Sequence, residues 1–152
     1  MPVEDRLKKL GLALPAAPAP VGAYVPYVEA RGLLFISGQI PLREGKLTHR
    51  GKVGAEVTLP EAQACARTCF LNALAQAKAA LGSLDRVQRV VRMTGFVASA
   101  PDFTDQATVM NGASECAAGV FGEAGKHARV AVGVAELPLG APVELEVIIE
   151  VI

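Results

Sequence analysis

The 152-residue chain fits a single domain and is long enough to bury a core without disulfides or a structural metal. Hydrophobic residues make up 51% of it, yet no stretch approaches the roughly 18 to 20 uninterrupted apolar residues that cross a bilayer. Fifteen basic and fifteen acidic side chains cancel, which removes the global field that draws a protein to nucleic acid or to an anionic membrane.

Residues 3 to 10 can form a short helix, and the proline-rich stretch from Leu14 to Pro20 reads as an extended connector lying over the surface. Lys8 and Lys9 before Leu10 to Ala19 imitate a secretion signal. Glu4 and Asp5 precede the lysines, however, and Pro15, Pro18 and Pro20 break the apolar run. Tyr24 to Glu29 and Leu33 to Ser37 read as strands joined by a hairpin at Arg31-Gly32. Gln39 to Val57, with Gly45, Gly51 and Gly54, reads as a loop or weakly paired segment and as the mobile part of the chain.

Thr58 can cap a long helix, with Pro60 in its first turn, Glu61 three residues after the cap and Gly82 at its end. Ala62, Cys65, Ala66, Cys69, Phe70, Ala73, Leu74, Ala77 and Leu81 keep the three-and-four spacing of one buried face, while Arg67, Asn72, Gln76 and Lys78 fall off it. So many alanines predict close packing on a sheet. Arg86 to Ala98 reads as a strand broken by Gly95, and Asp102 as the cap of a second helix running to about Phe121. In Arg129 to Ala135, Val130, Val132 and Val134 alternate with Arg129, Ala131, Gly133 and Ala135. In the last strand Val143, Leu145, Val147, Ile149 and Val151 alternate with Glu144, Glu146 and Glu150. The order predicts an α+β domain, a sheet covered on one face by two helices.

Cys65, Cys69 and Cys116 are odd in number and lie in helical segments, which points to a reducing cytoplasm and to buried apolar thiols rather than disulfides or a metal site. His49 and His127 are far apart in the chain, which argues against a Ser-His or Cys-His nucleophile; Gly112 to Cys116 is only superficially a GxSxG motif. No phosphate-cradling loop and no HExxH are present. High apolar content with few charges leans toward oligomerisation.

Arg129 is the informative residue. A planar guanidinium beside the small Ala131 and Gly133 leaves room for a carboxylate to be gripped at two points. By pattern alone it reads first as an edge arginine paired with a strand glutamate, and Glu144 as a solvated one. If the two final strands pair as a hairpin, Glu144 comes near Arg129. Tyr24, Ser37 and Asn111 are unremarkable singly.

Together, four separated segments resemble the Rid (YjgF-like) family of reactive intermediate deaminases, also known as endoribonuclease L-PSP, over about Val21 to Val151. They are Gly22-Ala23-Tyr24-Val25, Ile36-Ser37-Gly38-Gln39-Ile40-Pro41, the helix bearing Asn111, and the end from Ala128-Arg129 through Val134-Ala135-Glu136-Leu137-Pro138 to Val143-Glu144-Leu145-Glu146. The resemblance implies a chorismate-mutase-like fold over residues 21–152 behind an amino-terminal extension of residues 1–20. It further implies a homotrimer with its sites between subunits, and cofactor-free, metal-free hydrolysis of 2-imino acids. On that pattern Arg129 would bind the substrate carboxylate, Glu144 would position or activate water, and Tyr24 would close the pocket from a neighbouring subunit. Ser37, Gly38 and Asn111 would shape its walls. Ala131 stands where the family often has a cysteine, leaving only a backbone contact. Competing readings are a non-catalytic trimer that binds small carboxylates or holds other chains, and a ribonuclease using the basic stretch Arg43, Lys46, His49, Arg50 and Lys52. Zero net charge and few aromatics speak against the last, and no membrane or nucleic-acid partner is expected.

Overall fold

The computed structural model describes all 152 residues. A short helix α1 (Val3–Lys9) is followed by β1 (Tyr27–Ala30), β2 (Leu33–Gln39), a two-residue pair β3 (Leu42–Arg43) and β4 (Lys46–Leu47), and the long helix α2 (Leu59–Leu81). Then come β5 (Val87–Ala98), α3 (Gln106–Phe121), β6 (Ala128–Val134) and β7 (Val143–Val151). The main sheet has five strands in the order β1-β2-β7-β5-β6, with β5 and β6 parallel and the other pairs antiparallel. No helix is long and apolar enough to cross a membrane.

The β1-β2 turn is the expected one. Arg31 and Gly32 both have positive φ, 51° and 76°, the backbone that lets a two-residue turn follow the twist of the strands. β1 starts at Tyr27, three residues later than expected, and Tyr24 lies outside any strand. Pro26 before it has no N–H for a ladder, although its carbonyl accepts from the Ser37 N–H.

α2 begins with the reciprocal capping box of Thr58 and Glu61 and ends at Gly82, as the sequence indicates. Its apolar positions form the centre of a 32-residue core with α3 and the inner faces of β2, β5 and β7. Asn72 and Gln76 are buried too, against expectation. A second layer covers that side: Asn72 Nδ2 donates to the carbonyls of Ile40 (3.1 Å) and Leu42 (3.0 Å), and Gln76 Nε2 to that of Pro18 (2.6 Å). The long amides thus staple the β3-β4 pair and the proline-rich segment onto the helix. The segment expected to be mobile also contains Val53 and Val57, both buried, with the Val53 N–H donating to Ala98. α1 buries Val3 and Leu7 in the same core.

Two further expectations change. Gly95 does not break β5; it lies within the continuous strand, where an added Cβ would come 2.5 Å from the Met110 side chain of α3. Asp102 does not cap α3. It adopts φ 68° in the turn before it, and α3 starts at Gln106 with Asp105 making no side-chain cap.

α2 and α3 approach so closely that a Cβ on Gly112 would sit 2.1 Å from the Gln63 carbonyl oxygen. Gly112→Ala is expected to cost about 1–3 kcal/mol by forcing two backbones apart. Gly119→Ala, on the same helix but facing only the tip of Leu10 at 3.4 Å, is expected to gain up to about 1 kcal/mol of helix propensity. Opposite shifts of the urea midpoint would verify the pair. Thr58→Ala is expected to lower stability by about 1 kcal/mol through loss of the cap in the same measurement.

Candidate functional site

β6 is an edge strand, and its burial is the reverse of the usual pattern. Val130 and Val132 point to the open face of the sheet, 37% and 40% exposed, while Arg129, Ala131 and Gly133 face α3. The inner face is bare because the helix comes down on it: a Cβ on Gly133 would meet Gln106 Nε2 at 2.8 Å.

Arg129 reaches from this strand to α3. Its Nη1 donates to Asn111 Oδ1 at 2.9 Å and to Ser114 Oγ at 3.1 Å, and its Nη2 to the Ala107 carbonyl at 3.2 Å. All these acceptors are neutral, and none of the chain's ion pairs includes Arg129. The plainer reading, an arginine neutralised by a strand glutamate, is therefore not what the fold builds. A guanidinium has five N–H groups; three are committed, and two remain, the number a carboxylate grips. The charge borders an open depression of about 310 Å³ lined by Asn111, Ser114, Lys126, His127 and Arg129 among others, with no carboxylate in the lining.

The other expected residues gather elsewhere. β5 lies between β6 and β7, so the two final strands do not pair and the expected hairpin does not form. On β7 the core side is taken by Val143 and Leu145, and Glu144 stands on the open face, in register with Phe96. Arg129 and Glu144 of one chain are thus on opposite faces of one sheet. Glu144 instead lies on Gly38: an added Cβ there would be 2.0 Å from its Oε2, so a glycine leaves the space the carboxylate occupies. The pairing of β2 with β7 slips between Ile36 and Gln39, and this irregularity carries Ser37 and Gly38. Ser37 Oγ donates to the Val25 carbonyl at 2.7 Å, which ties the segment bearing Tyr24 to β2. The Tyr24 hydroxyl accepts from the Val21 N–H at 3.1 Å, and its ring is 47% exposed. The cavity beside Tyr24 and Gly38 measures only about 20 Å³, room for roughly one water.

Burial of Glu144 raises its carboxyl above the ordinary carboxylate value, and the Glu146 charge adds to this. None of the chain's ion pairs involves it.

Sequence order hid two side-chain pairings. His49 Nδ1 lies 3.3 Å from Cys65 Sγ while its Nε2 meets Glu61 Oε2 at 3.2 Å, and His127 Nε2 lies 2.9 Å from Ser114 Oγ. Distance along the chain was a poor guide, because loops return each histidine to the helix that follows or precedes it. Cys65 is nonetheless fully buried, and that burial pushes its thiol up. Ser114 sits inside α3, where backbone N–H groups are used by the helix and leave no oxyanion donors. Nowhere do three or more His, Cys, Asp or Glu side chains cluster as metal ligands.

A family model described as "YjgF/chorismate_mutase-like, putative endoribonuclease" matches residues 4–150. Protein TCP17 of Trypanosoma cruzi is 50% identical over 97% of this chain and 93% of its own. Among solved structures, the protein Atu1372 of Agrobacterium tumefaciens, with unknown function, is 48% identical with a TM-score of 0.93, covering 99% of this chain and 92% of that one. E. coli TdcF with bound serine is 28% identical with a TM-score of 0.63, covering 88% and 92%. The chain belongs to the YjgF/chorismate-mutase-like family.

Proposed function

We propose that the protein hydrolyses 2-imino acids to 2-oxo acids and ammonia at sites formed between the copies of a homotrimer. The observation that carries this reading is Arg129, half-buried, fixed by neutral acceptors and left with two free N–H groups at an open depression. TdcF, a relative with bound serine, supports an amino-acid-like ligand bearing an α-carboxylate.

Opposite sheet faces bear on the assembly. Arg129 with Asn111 and Ala131 makes one half of the site, and Tyr24, Ser37, Gly38 and Glu144 make the other. Only a second copy can bring one half against the other. The open face offers the surface for it, since Val28, Phe35, Val130 and Val132 are 52%, 42%, 37% and 40% exposed there. Arg129 then grips the carboxylate and orients the imine carbon, and Glu144 of the neighbouring copy holds the attacking water. A protonated imine is already electrophilic, so orientation and one proton acceptor suffice, without a cofactor.

A second reading, capture of small carboxylates without turnover, is favoured by the Arg129 half being complete in one chain. A ribonuclease fits less well: in the basic stretch His49 is paired with Glu61, Lys52 with Glu136, and Arg50 donates to the Leu139 carbonyl.

Sedimentation equilibrium at micromolar concentration is expected to give three times the 15.8 kDa chain mass, and a stable monomer would remove the shared site. With imines supplied by an amino acid oxidase and ammonia release followed, Arg129→Lys is expected to lower the rate roughly tenfold to a hundredfold while the trimer stays folded, because lysine keeps the charge and loses the two-point grip. Full activity would return Arg129 to a structural role, and no acceleration by the wild type would favour the binding reading. Glu144→Gln is expected to be milder. Because the Glu144 carboxyl is raised by burial and must be ionised to take a proton, the catalysed rate should climb as pH rises through and above the ordinary carboxylate range, and the glutamine variant should lose that climb.

A further inference from the structure

A directed series of hydrogen bonds ends on Arg129. His127 Nδ1 lies 2.6 Å from the Gly125 carbonyl. A carbonyl only accepts, so Nδ1 carries the proton and neutral His127 keeps its lone pair on Nε2. Ser114 Oγ, 2.9 Å from Nε2, then donates its proton to the imidazole, and its oxygen is free to accept from Arg129 Nη1 at 3.1 Å. Every bond runs one way, from Arg129 to Ser114 to His127 to Gly125. If the hydroxyl proton turned toward Arg129, two donors would face each other.

We propose that Ser114 and His127 are positioning residues for carboxylate capture: together they fix the plane of the Arg129 guanidinium so that its two free N–H groups stay aimed into the depression. This rests on the reading of Arg129 as the carboxylate-binding group. Asn111 Oδ1, Ser114 Oγ and the Ala107 carbonyl all hold the guanidinium from α3. His127 and Gly125 both lie outside α3, Gly125 at the end of the short turn that follows it and His127 immediately before β6, so the series ties the guanidinium to a second support. A collar tied to the base of β6 as well as to α3 keeps the fork fixed relative to the strand that carries Arg129.

The test uses the full-length protein with pyruvate as the carboxylate probe, titrated by NMR, alongside steady-state imine hydrolysis. Ser114→Ala, which removes a charge-assisted hydrogen bond to the guanidinium, and His127→Phe, which removes the acceptor that orients the Ser114 hydroxyl, are each expected to weaken pyruvate binding about three- to tenfold. KM should rise by a similar factor, with kcat changed by less than about twofold. Ser114→Thr, which keeps the hydroxyl, should restore binding to within about twofold of the wild type. In ¹⁵N spectra the uncharged form of the His127 ring should show a proton on Nδ1 and a bare Nε2. Normal pyruvate binding by Ser114→Ala and His127→Phe, beside a weakened Arg129→Lys, would overturn the positioning role alone. Failure of threonine to rescue the alanine loss, or a proton on Nε2 in the neutral ring, would do the same. Undiminished binding by Arg129→Lys would instead overturn the carboxylate site itself. If His127→Phe does not fold, the alanine and threonine variants of Ser114 decide the matter.

Discussion

The placement of β7 between β2 and β5 is the constraint on which the rest of the molecule depends. A strand added at the edge would lie beside β6 and could bring its glutamates within reach of Arg129. In the centre it is paired on both sides, and its inner positions must be apolar; Val143, Leu145, Val147, Ile149 and Val151 are all buried. Strand alternation then sends Glu144, Glu146 and Glu150 to the open face. One consequence is that the carboxylate and the guanidinium of a single chain stand back to back. Another is that the face opposite the helices is neither a core nor an ordinary solvated surface, carrying valines and a phenylalanine at its edges and glutamates down its middle.

The helical face is organised by near contact rather than by bulk. Alanines along α2 and glycines at positions 95, 112 and 133 let the helices come close to each other and to the sheet, so that an added methyl would meet backbone or side-chain atoms at each glycine. That closeness is what lets α3 reach Arg129. With a thicker layer between helix and strand, Asn111, Ser114 and the Ala107 carbonyl would not form a collar around the guanidinium. Packing density and ligand chemistry are here the same feature, since the small residues that bring the layers together also clear the space beside the charge.

Polar side chains on α2 anchor the chain where it leaves regular structure. Asn72 and Gln76 hold the β3-β4 pair and the proline-rich segment against α2, and Glu61 both completes the α2 cap and holds His49 over Cys65. Each is a long side chain on a rigid helix bonded to irregular backbone. The segment before α2 is therefore anchored at several points, despite a composition rich in glycine and charge.

The sequence by itself determined the elements whose signals are local. The Arg31-Gly32 turn, the Thr58 cap with Gly82 at the far end of α2, and the alternation of β7 need only neighbours a few residues away, and each stands as read. It also singled out Arg129, Asn111, Gly38 and Glu144 as candidates, not through any one residue but because four separated segments together resemble a family pattern. What only the tertiary structure decided were the relations among them: that β5 separates β6 from β7, that Arg129 turns inward with no carboxylate partner, that Asn72 and Gln76 are covered, and that His127 reaches Ser114 and His49 reaches Cys65. Periodicity says which residues share a face, but a face is buried or exposed according to what packs on it. Strand order is set by long-range pairing, which leaves no mark on the spacing of residues along the chain.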